Sequence, residues 1–79
     1  MTRYYFDLRE GDILVVDEEG LELPDIESVH QQAAKSLLDM AKDAVVERGG
    51  RMQWMAIDAR DDEGPVLQAK FTIDIKKFR

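Results

Sequence analysis

The segment from Asp25 to Arg48 constrains this chain more than any other, because it alone is long and periodic enough to be a helix. At about 100° per residue, Ile26, Val29, Ala33, Leu37, Met40 and Ala44 fall in one arc, with Lys35, Asp39, Lys42, Asp43 and Glu47 largely opposite. Ala34, Leu38, Ala41 and Val45 widen the apolar arc on one flank. That arc is too broad for a coiled-coil seam and suits a helix lying flat on a sheet. Pro24 disfavours a helical Leu23, and Asp25 is typed as the N-cap. Gly49-Gly50 provides the stop, with Arg48 in the last turn against the dipole.

The sheet has to come from the flanks. Arg3 to Leu8 alternates, Tyr4, Phe6 and Leu8 against Arg3, Tyr5 and Asp7, and Ile13-Leu14-Val15-Val16 is a β-branched run beyond the turn Glu10-Gly11-Asp12. A two-residue loop at Glu10-Gly11 or Gly11-Asp12 puts Tyr4, Phe6, Leu8, Ile13 and Val15 on one face. Asp17-Glu18-Glu19-Gly20 is a turn signature, and Leu21-Glu22-Leu23 is one short extended step before the helix. After the helix, Arg51 to Ala59 and Val66 to Ile75 form a second strand pair. A three- or five-residue loop aligns Met55, Ile57 and Ala59 with Leu67, Ala69, Phe71 and Ile73 toward the helix. Met52, Trp54, Ala56 and Asp58 then lie beside Gln68, Lys70, Thr72 and Asp74. The expectation is one α+β domain over residues 1–79: two β-hairpins flanking one amphipathic helix, ββαββ, in an antiparallel sheet with the helix on one face. The acidic turn recurs as Asp61-Asp62-Glu63-Gly64, which we read as shared turn chemistry rather than a repeat.

Seventy-nine residues barely support a core, and with no cysteine there is no disulfide or zinc-thiolate site to reinforce it, so oligomerisation is the remaining staple. A net charge of -6 repels nucleic-acid phosphates, and Lys70, Lys76, Lys77 and Arg79 read as a solvated basic end, so no nucleic-acid partner is expected. No stretch approaches the roughly 20 apolar residues of a membrane span, and Met1 to Tyr5 lacks the run of a signal peptide. No membrane association and a cytoplasmic location follow as expectations.

Catalytic and metal constellations are missing from the pattern. His30, the only histidine, sits in the helix arc with no second histidine or cysteine, which suits a partly buried or edge position better than a base or ligand. Ser28 and Ser36 lie in no nucleophile motif. The acidic turns fail the calcium-loop pattern: with Gly20 or Gly64 at the sixth position, Val15 or Ala59 falls at the first and Ile26 or Lys70 at the twelfth. Neither a dinucleotide fingerprint nor a phosphate loop is present. No catalytic, cofactor-binding or metal residue, and no cofactor, is expected.

The outward sheet face is the informative anomaly. One helix covers one side, so Tyr5, Leu14, Val16, Met52 and Trp54 project from the other. Either the tail around Phe78 and the stems of Arg and Lys cover them, or they form an apolar patch with Trp54 and Tyr5 as anchors.

The opening Arg3-Tyr4-Tyr5-Phe6-x-Leu8-Arg9, then Asp17-Glu18-Glu19-Gly20-x-Glu22-Leu23-Pro24 before a helix, then Asp62-Glu63-Gly64-x-Val66-Leu67 and Phe71, resembles a family of short bacterial proteins catalogued only as a domain of unknown function. In many members a histidine follows the Tyr-Phe pair, where this chain has Asp7, which removes any role of that histidine. The resemblance implies a bacterial cytoplasmic protein and supplies no activity, cofactor or site. The leading expectation is a small non-enzymatic interaction or regulatory module, a homodimer self-associating through the outer sheet face. The alternatives are an enzyme or enzyme subunit using Asp7, Asp17 or Asp58 at a subunit interface, and an acidic antitoxin-like inhibitor of a basic partner.

Overall fold

The computed structural model describes residues 1–48 and 53–79. Among them are one helix and five strands: β1 (Thr2–Glu10), β2 (Ile13–Val15), β3 (Leu21–Leu23), α1 (Ile26–Arg48), β4 (Gln53–Asp61) and β5 (Gly64–Ile73). The α+β class stands as expected, with the helix packed on an antiparallel sheet.

The sheet runs β2-β1-β4-β5. Leu8 faces Val15 and Glu10 faces Ile13, so the first hairpin closes through the two-residue loop Gly11-Asp12, with Gly11 at a φ of +57°. Leu21–Leu23, expected only as an extended step, is a fifth strand. It pairs with Thr2–Tyr4, while β2 pairs with Leu8–Glu10. The two short strands therefore occupy one edge of β1 in succession, and the acidic loop between them passes Tyr5 to Asp7.

The second hairpin corrects the expected loop. Asp61 faces Gly64, so the turn holds two residues, Asp62-Glu63, rather than three or five. The register then jumps between Ala59 facing Leu67 and Arg60 facing Pro65, which leaves Val66 as a bulge. The bulge supplies the extra residue that an odd loop would have supplied, so Met55, Ile57 and Ala59 still meet Phe71, Ala69 and Leu67.

Helix α1 lies over β4 and β5 and touches β3. Its buried stripe is Val29, Ala33, Leu37 and Ala41, spaced four residues apart, and the last three pack with Met55 and Ile57 in a core joined by Phe6, Met40, Ala44, Leu67, Ala69 and Phe71. Small residues at Ala33 and Ala41 let the helix sit close to the sheet. Because the helix is displaced toward β5, it does not reach β2, and Ile13 and Val15 remain exposed on the face expected to meet it. Ile26 is also exposed, and His30 lies on the solvent side rather than within the buried stripe.

The helix starts as the sequence requires: Asp25 Oδ1 accepts the Ser28 amide at 2.8 Å, and the Asp25 carbonyl accepts the Val29 amide at 3.3 Å. That cap holds the Asp25 carboxyl below the usual range through the Ser28 hydrogen bonds. Asp25→Ala is expected to lower the melting temperature by about 3 °C or more, with Asp25→Asn close to wild type, read by circular dichroism. The Gly49-Gly50 stop and the strand start at Arg51 lie outside the described residues.

Candidate interaction face

The side of the sheet away from α1 is built by alternation. β1 contributes Arg3, Tyr5, Asp7 and Arg9, β4 contributes Trp54, Ala56, Asp58 and Arg60, and β5 contributes Gln68, Lys70 and Thr72. Asp7 stands directly opposite Asp58. Two carboxylates across a strand pair repel, and the same sequence element on each strand resolves it. Asp7-Leu8-Arg9 and Asp58-Ala59-Arg60 run antiparallel, so each arginine reaches the other strand's aspartate. Arg60 Nε donates to Asp7 Oδ2 at 2.9 Å, Arg9 Nε donates to Asp58 Oδ2, and Gln68 Nε2 adds a bond to Asp58 Oδ1 at 2.6 Å. The Asp7 side chain is 13% exposed, which makes its ion pair the more sheltered of the two.

Arg60 also ties this lattice to the acidic loop. It donates to the Asp17 carbonyl at 3.0 Å and stacks over the Tyr5 ring at 4.5 Å from its centroid. Asp17 Oδ2 accepts the Phe6 amide at 3.1 Å, its Oδ1 accepts the amides of Glu19 and Gly20 at 3.1 and 3.2 Å, and its own amide donates to Asp7 Oδ1 at 2.9 Å. Where β1 lacks a strand partner, between β2 and β3, the Asp17 carboxylate satisfies the Phe6 backbone donor. Asp61 Oδ1 likewise accepts the Glu63 amide at 2.9 Å. The two acidic turns thus share an aspartate that bonds the amide two residues on, and among the described residues no group of three His, Cys, Asp or Glu is arranged to hold a metal.

Burial raises the Asp17 carboxyl, but the amides of Phe6, Gly20 and Glu19 and the charge of Arg60 lower it further, so it sits below the usual carboxylate range. Asp58 follows suit, burial being outweighed by the bonds from Arg9 and Gln68. The Asp7 bond, opposed by desolvation, raises Arg60. Groups whose folded pKa is depressed stabilise the fold fully above the unfolded value, about 3.9 for Asp, and cease to do so as pH falls through the folded values. Stability is expected to hold from neutrality to about pH 5 and to fall progressively below about pH 4, read as the urea midpoint across pH. A midpoint independent of pH down to 2.5 would contradict the ion-paired lattice.

The residues singled out from the pattern distribute as follows. Tyr5 and Trp54 are on this face, with Trp54 36% exposed and Lys70 over its ring at 5.0 Å. Leu14 and Val16 lie at the β2 edge, both exposed. Met52 lies outside the described residues. Between Tyr5 and Trp54 the surface is charged and paired, so the aromatic anchors flank a polar lattice rather than forming one continuous apolar patch. The tail does not cover it, since Asp74–Arg79 forms no strand or helix and Phe78 is 92% exposed. The sequence assigned no site role to Arg9, Arg60 or Gln68, although the repeated Asp-x-Arg on two strands was a signal for the arginine pairing.

The family model for a domain of unknown function, DUF6894, matches residues 3–72. The chain belongs to this family. The DUF6894 match takes in every residue of the outer face from Arg3 to Thr72 and stops before the tail. No match to the chain was found among curated proteins or among solved structures. No helix among the described residues of this DUF6894 domain is long and apolar enough to cross a membrane.

Proposed function

We propose that this chain is a small non-enzymatic interaction module that works as a homodimer and uses its outer sheet face as the contact surface for a protein partner. The observation that carries this reading is the state of that face. No element among the described residues covers it, and its half-open aromatics, Tyr5 and Trp54, each lie under a cation, the side-chain types enriched where binding energy concentrates. Asp17 and Asp58, two of the carboxylates an enzyme reading needs, are held ionised, and Asp7 is engaged by Arg60. A preorganised face of this kind favours recognition over proton transfer, which needs a group tuned toward neutrality.

Light scattering on the wild-type chain is expected to give about twice the 9.1 kDa chain mass. Trp54→Ala should leave fold and mass unchanged and abolish capture of the partner that wild type retains from the native host. A wild-type monomer at high concentration contradicts the dimer, and equal capture by both proteins contradicts the face.

A further inference from the structure

The two edges of the sheet are built differently. One is divided between the three-residue strands β2 and β3 and flanked by Glu10, Asp12, Asp17, Glu18 and Glu19. Asp12 directly precedes β2 and Asp17, Glu18 and Glu19 follow it closely, so pairing β2 with its own copy would gather acidic side chains of both copies along that edge, and like charges guard it. The other edge is β5, ten residues with Lys70 as its only charge and no strand beyond it among the described residues. A long edge with so few charges is a template for another strand. Beside it, Leu38, Ala41, Val46 and Phe71, with Lys42 among them, line a shallow and largely apolar groove of about 320 Å³, with Leu38 61% and Val46 77% exposed.

We propose that a second copy of this chain docks antiparallel along β5 with the two-fold axis at Thr72, so that each tail runs beside the other copy's β5. This rests on the homodimer proposed above and names its seat. Charge fixes the register. An axis at Lys70 opposes like charges, whereas an axis at Thr72 sets Lys70 against Asp74 of the second copy twice and pairs Thr72 with Thr72. The same register sets Phe71 against Ile73 and Ala69 against Ile75, all on the helix side by alternation, and gives the exposed Ile75 and Phe78 of the tail a surface. The exposed flanks of the two helices then close the groove at Leu38 and Val46.

The area is adequate. Ten residues span about 34 Å, and the molecule is 17 Å through its thinnest axis. That wall is on the order of 600 Å² in projection, near the roughly 800 Å² per partner of a standard interface. The chain exposes 5989 Å², against about 4,900 Å² for a folded monomer of its mass.

Sedimentation equilibrium on wild type, Asp74→Lys and the double variant Asp74→Lys/Lys70→Asp tests the seat, with both positions exposed so that folding is unaffected. Asp74→Lys is expected to weaken the dimer about tenfold, and the double variant to restore it. In the wild-type dimer, hydrogen exchange should be slow at both alternating sets of β5 amides, those facing β4 and those facing outward. A dimer that is indifferent to Asp74→Lys and leaves the outward β5 amides fast to exchange overturns this seat while leaving the homodimer intact. So does a dimer that Trp54→Ala dissociates. A wild type that stays monomeric overturns both.

Discussion

Gly20→Ala is expected to destabilise the fold by about 3 kcal/mol, and Gly20→Val by more. Gly20 has a φ of +73°, where a side chain is strained, and a Cβ there would lie 2.9 Å from the Tyr4 carbonyl oxygen, 2.9 Å from Tyr5 Cε1 and 3.0 Å from Arg3 Cγ. The carbonyl belongs to the strand that β3 pairs with, through Tyr4 facing Leu21, so the clash cannot be relieved by turning a rotamer. Either β3 detaches or the Asp17 turn opens. For a domain of this length, total stability is of the order of 4–12 kcal/mol, so the valine variant is expected to be partly unfolded at 37 °C. Urea unfolding reads the loss, and an unchanged midpoint would mean that the turn does not approach β1 as described.

Asp17→Ala is the second large effect, about 2–3 kcal/mol. The substitution leaves the Phe6, Glu19 and Gly20 amides without their carboxylate acceptor, and Phe6 lies on a partly buried strand where water replaces the lost bond poorly. Asp17→Asn keeps one acceptor oxygen and is expected to fall between alanine and wild type. The alanine variant also reopens the β1 edge between β2 and β3, and should aggregate during refolding at concentrations where wild type does not. Light scattering during dilution from urea reads this.

The sequence was informative wherever the cause was local. The Asp25 cap, the helix and the alternation of β1 each depend on residues a few positions apart, and each is present. Register in the second hairpin was legible through parity, although the device that produces it was not: a two-residue turn with Val66 bulged and an odd loop without a bulge align the same rows. Leu21–Leu23 was too short to reveal a partner, because its pairing depends on Thr2–Tyr4 and on a glycine that lets the chain return to β1. The position of α1 could not be read from its own periodicity. A helical wheel places His30 and Ile26 near the apolar arc, yet both are exposed, while the buried stripe follows the four-residue spacing of Val29, Ala33, Leu37 and Ala41. On the outer face the pattern showed Tyr5 and Trp54, but it hid the cross-strand exchange of Asp7 with Arg60 and Arg9 with Asp58, since that exchange requires the order β1-β4 in the sheet.

One edge of this sheet is closed by β2, β3 and the Asp17 carboxylate between them, while along the other no strand lies beyond β5 among the described residues. Residue-resolved hydrogen exchange of the Phe6 amide, in wild type and in Asp17→Asn, tests the closed edge directly. The account predicts a protected Phe6 amide in wild type, as slow as its neighbours in β1, and a marked loss of that protection in the variant while Leu8 keeps its own. A Phe6 amide that exchanges in wild type at the rate of an unstructured loop would contradict it.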